Sequence, residues 1–112
     1  MNKIEIRCEA RTKVDMKLRS VKLPYYKASL VDLSQGGAKL KLRAKPNTSL
    51  LNEDFKFSAS LARRAKDLFQ GQAQVVWEKE TELGFTIGVR WKELPGYAEK
   101  AIETAQLYAT NT

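Results

Sequence analysis

Apolar and polar residues alternate along most of this chain with a period of two. Val14, Met16 and Leu18 alternate with Asp15, Lys17 and Arg19, and Ala38, Leu40 and Leu42 with Lys39, Lys41 and Arg43. Phe55, Phe57, Ala59 and Leu61 alternate with Lys56, Ser58 and Ser60. Ala73, Val75 and Trp77 form a further set, and Phe85, Ile87, Val89 and Trp91 the last. Strict alternation marks half-buried strands with one face in the core and one in water. Tyr25 to Leu33 reads as a sixth strand of less regular pattern. Trp77 and Trp91 fall on the apolar phase, which places both in the core. Pro24, Pro46-Asn47, Asn52 to Asp54, Gly71, and Thr81 to Gly84 punctuate the runs. Short strands at this spacing predict a mainly β fold, a six-stranded antiparallel barrel without long free edges. The stretch Ala62 to Gln70 fits a helical turn and a loop equally.

Past Pro95-Gly96 the period changes. Tyr97, Ala98, Ala101, Ile102, Ala105 and Tyr108 share one stripe of an α-helix, with Glu99, Lys100 and Glu103 opposite. This predicts one C-terminal helix over about residues 95–108, packed on the barrel.

Composition narrows the class. The 112 residues are 43% hydrophobic and 29% charged, as expected of one soluble domain with its own core. No apolar run approaches the ~20 residues of a membrane span, and no apolar segment follows the basic start to make a signal peptide. With one cysteine, Cys8, and no histidine, a zinc site and an internal disulfide are excluded, so a reducing cytoplasm fits best. The net charge of +7 is uneven: residues 1–45 hold 12 Lys/Arg against 4 Asp/Glu, and the remainder 8 against 9. A basic N-terminal part points to an anionic partner, although a solvated surface gives the same imbalance.

Catalytic constellations are lacking. No histidine is present to serve as general base, Cys8 has no activating partner, and "GFTIGVRW" reads as a strand and not as a phosphate-cradling loop. We expect no enzyme, no metal and no cofactor. Two short motifs remain. Arg7-Cys8-Glu9-Ala10-Arg11 sets two guanidinium groups four residues apart, and Asp32-Leu33-Ser34-Gln35-Gly36-Gly37 sits at a strand end. Asp32 and Ser34, two apart, would project from one face. Gly36 and Gly37 would let a ligand approach the backbone closely. Arginine forks suit phosphate and the O6/N7 edge of guanine, and a carboxylate suits guanine's N1–H and N2–H donors. In physical terms the set fits an anionic ligand bearing guanine. Asp32 and Ser34 would equally serve to satisfy turn N–H groups, and the arginines to solvate a chain end.

An R-x-x-x-R segment followed about twenty residues later by [DN]-x-S-x-x-G closely resembles the PilZ domain family of bacterial cyclic di-GMP receptors. The match is Arg7 and Arg11, then Asp32, Ser34 and Gly37. "GQAQVVW" and "LGFTIGVRW" resemble the family's last two strands, with Trp91 in place of the usual phenylalanine. The resemblance implies a ligand site for cyclic di-GMP at Arg7, Arg11, Asp32, Ser34, Gly36 and Gly37, with Ile6, Cys8 and Lys39 as secondary positions. It implies that residues 1–13 form a flexible clamp and residues 14–112 the barrel and helix. The clamp would order over the nucleotide and present a changed surface to an effector protein in trans. Many members carry an arginine where this chain has Ile6, which points to one ligand per chain, and Glu9 sets an acid beside the expected dianion. Two other readings stay open: a basic barrel binding RNA or single-stranded DNA, with Tyr25 and Tyr26 as stacking surfaces, and a ligand-independent interaction module.

Overall fold

The computed structural model describes residues 12–61, 67–82 and 84–110. The expected clamp residues Ile6, Arg7, Cys8, Glu9 and Arg11 lie outside them, as do residues 62–66. Six strands, β1 (Thr12–Arg19), β2 (Lys27–Leu33), β3 (Gly37–Leu42), β4 (Asp54–Leu61), β5 (Asp67–Thr81) and β6 (Gly84–Glu93), precede the helix α1 (Ala98–Thr110). All pair antiparallel, and the order β1-β2-β3-β6-β5-β4 closes on itself because β1 also pairs with β4. Closure gives every strand a neighbour on both sides, so none is an edge strand along its whole length.

Inward positions of the alternating sets fill the barrel. Leu18, Leu30, Leu33, Leu40, Val75 and Ile87 are fully buried, each stabilising the fold by about 1.5–3 kcal/mol relative to exposure. Leu23 and Leu50, from the β1–β2 and β3–β4 connections, are also buried in this core. Trp91 packs 5.1 Å from Phe57 and 5.6 Å from Phe69, edge-on to the latter, within an aromatic cluster. Ala98, Ile102 and Ala105 bury the helix stripe; the side chain of Tyr108 is outside the described residues.

Four expectations need correction. The sixth strand starts at Lys27 and not at Tyr25, because Pro24–Tyr26 forms a short 3-10 turn. The helix starts at Ala98, so Tyr97 precedes it and is exposed. Gly71 does not break the chain: it lies inside β5, where a Cβ would meet the Glu93 carbonyl at 2.3 Å. Trp77 is not core; it is 39% exposed. The cause is a bulge, since Val75 pairs with Val89 but Trp77 with the next residue, Gly88. The extra residue, Val76, turns the following side chain outward.

Candidate functional site

The turn after β2 is closed by its own side chains. Ser34 N donates to Gly37 O at 2.9 Å, Ser34 Oγ donates to the same oxygen, and Gly37 N donates to Ser34 Oγ, both at 3.2 Å. Ser34 is fully buried, so its hydroxyl is spent on the turn and does not face the surface. A Cβ on Gly37 would stand 2.0 Å from the Val89 carbonyl. That glycine is therefore needed for the approach of β6, without any left-handed backbone angle. The turn is further tied to β6, where Trp91 Nε1 donates to Ser34 O at 3.2 Å and Trp91 N to Gly36 O at 3.0 Å. It is tied to α1 as well: Gln106 Nε2 donates to Leu33 O at 3.0 Å, and Gln35 Nε2 to Glu99 O at 3.2 Å.

Asp32 takes the other direction. A second bulge, between Leu30 and Asp32 against β3, puts Val31 and Asp32 on the outer face before Leu33 returns to the core. Asp32 is flanked in register by Lys13 on β1 and Lys39 on β3. The three open onto a groove of about 660 Å³ that crosses the barrel wall and is also lined by Val31, Lys41, Trp77, Lys79, Thr81 and Thr86. The groove thus joins one carboxylate, four lysines and an indole. The indole lies on Gly88, whose missing side chain makes its seat: a Cβ there would be 2.1 Å from Trp77 Cε2 and Nε1.

Of the expected site residues, the structure therefore brings Asp32 and Lys39 together in the groove. Ser34 and Gly37 form the turn beneath, joined to Gly36 through the bond from Trp91 N. Sequence reasoning missed Lys13, Lys41, Lys79 and Trp77. The glycine interrupting "FTIGVRW" was the available signal for Trp77, because an interior strand glycine marks the close approach of another group. Chemically, an indole offers a stacking face to a planar ring, ammonium groups suit phosphates, and a carboxylate can accept from N–H donors. Among the described residues no cluster of three or more His, Cys, Asp or Glu is placed to hold a metal ion.

A closed six-stranded antiparallel barrel with a C-terminal helix and this basic groove defines the class of fold. The PilZ domain family model matches residues 5–105. The chain belongs to the PilZ domain family. The PilZ domain of YcgR from Escherichia coli, solved with c-di-GMP, superposes with a TM-score of 0.69 at 16% identity, covering 92% of this chain and 90% of that one. The whole of YcgR in complex with c-di-GMP gives the same TM-score and identity, but only 45% of it is covered. Bacillus subtilis inhibitor of motility (MotI/DgrA) gives a TM-score of 0.68 at 13% identity, covering 99% of this chain and 51% of that one. No curated protein sequence matches the chain.

Proposed function

We propose that this protein is a cyclic di-GMP receptor whose ligand lies in the groove between Asp32 and Trp77. The observation that carries the reading is the convergence of Asp32, Lys39 and the outward indole of Trp77 in a chain of the PilZ family. Asp32 accepts the Watson–Crick-edge donors of one guanine, Trp77 stacks on a base, and the lysines face the phosphates. Arg7 and Arg11, the R-x-x-x-R pair of the family resemblance, clamp the ligand from above. Ser34, Gly36 and Gly37 act by building the turn that holds Asp32. Each charge-assisted hydrogen bond contributes about 1.5–3 kcal/mol. A few of them with one stacked base, less the ordering of the clamp, reach about −8 kcal/mol, a micromolar affinity. The output is an altered surface beside the groove, read by a partner protein in trans.

Calorimetric titration with cyclic di-GMP tests this, with GMP and cyclic di-AMP as controls. Binding is expected for cyclic di-GMP alone, and Arg11→Ala or Asp32→Ala removes most of it while the fold persists. Absence of heat and of thermal shift with cyclic di-GMP sinks the reading. The exposed Trp77 also suits a single-stranded nucleic acid, for which aromatic platforms in basic grooves are the usual device. Oligonucleotide affinity falling steeply with salt, undisturbed by cyclic di-GMP, favours that second reading.

A further inference from the structure

Loop 20–27, at the end of β2 away from the groove turn, carries three exposed apolar side chains: Val21 at 82%, Tyr25 at 71% and Tyr26 at 68%. Their display is built in. Tyr25 and Tyr26 both have left-handed backbone angles, φ 59° and 64°, which bulky residues rarely adopt without constraint. Tyr26 N donates to Leu23 O at 2.8 Å, and Ser20 N to Tyr26 O at 3.0 Å, so the loop is pinned with both rings outward while Leu23 plugs the core. The flanks are cationic. Loop 20–27 holds Lys22 and Lys27 and no acid. Arg43 follows Leu42, which pairs with Ala28 next to Lys27. Lys22 is bridged to Glu53 at 3.6 Å, but among the described residues Lys27 and Arg43 have no ion pair.

We infer that this tip is a docking surface for an anionic lipid bilayer. Three side chains expose roughly 400 Å² at most, half of the ~800 Å² per partner that a stable protein interface needs. A bilayer requires no complementary patch: it takes a few apolar side chains at headgroup depth, aromatic rings with polar tips first of all, and a ring of cations. β2 spans roughly 20 Å between tip and groove turn, so a docked barrel holds Asp32 away from the membrane, while Lys41, paired with Ser29, lies nearer the tip. The chain is held at the surface only; no described helix is long and apolar enough to cross it.

Vesicle flotation of the full chain tests this, comparing phosphatidylcholine alone with mixtures containing phosphatidylglycerol. The protein is expected to float with the anionic mixture only. The double variant Tyr25→Asn, Tyr26→Asn loses about tenfold or more in partition, yet melts no lower, because asparagine accepts the left-handed angles. Lys27→Gln with Arg43→Gln weakens partition several-fold. Failure of the wild type to float, equal flotation of the tyrosine variant, or equal flotation with neutral vesicles overturns the proposal. So does self-association, or a purified protein partner, that depends on the tyrosines without lipid; the tip then faces protein.

Discussion

A methyl group added at Gly88 would stand 2.1 Å from two atoms of the Trp77 indole, so Gly88→Ala must lift the ring from its seat. The expected cost is about 1–2 kcal/mol in chemical denaturation, with a red-shifted tryptophan emission as the indole meets more water. Trp77→Ala leaves a milder fold defect, since the ring is already part-exposed. It should weaken cyclic di-GMP binding by the ~1–3 kcal/mol of one stacked base, about five- to 150-fold in calorimetry. Trp77→Phe recovers much of that. Gly37→Ala behaves differently: its Cβ would clash with a backbone oxygen at 2.0 Å, which no rotamer relieves. A loss above about 2 kcal/mol is expected in thermal melting, with or without ligand. At this scale the sequence was only partly legible. Asp32 was found by its spacing from Arg11, and the structure sets it in a basic groove. Ser34 was read either as a ligand contact or as a hydroxyl that satisfies the turn, and the structure shows the second: Gly37 N donates to its buried Oγ.

At the level of elements, period-two alternation located β1, β3, β4, β6 and the second half of β5, because each presents one face to a single closed core, while β2 showed only as a less regular run. What the period conceals is an inserted residue. After the Val75/Trp77 irregularity the same alternation points to the opposite face, and Trp77 moves from expected core to groove. The extent of β5 was likewise hidden, because Gly71 reads as punctuation yet serves a close crossing with β6. The turn-to-helix ties are equally non-local: Gln106 and Gln35 reach Leu33 O and Glu99 O across 73 and 64 residues. These ties make α1 report on the turn that carries Asp32. Gln106→Ala should cost about 0.5–1.5 kcal/mol and speed amide exchange in α1 more than in β5, measured by hydrogen–deuterium exchange.

For the molecule as a whole, the +7 net charge and the four groove lysines put ligand binding and stability on different footings. The barrel is held by apolar burial, which salt scarcely screens, while the proposed ligand, a dianion, would be held partly by charges within a Debye length, about 10 Å at 0.1 M salt. Raising ionic strength should therefore weaken cyclic di-GMP affinity measurably while the ligand-free melting temperature barely moves. Linkage gives the companion result. A ligand bound only by the folded state at a hundred times its Kd adds about 2.7 kcal/mol, and each kcal/mol is worth about 4 °C or more in a domain near this size. Scanning fluorimetry should thus show a rise of about 10 °C with saturating cyclic di-GMP. Arg11→Ala and Asp32→Ala should keep the ligand-free melting point and lose the rise, which separates loss of the site from loss of the fold. A variant that loses both has damaged the barrel, and its binding defect says nothing about the groove.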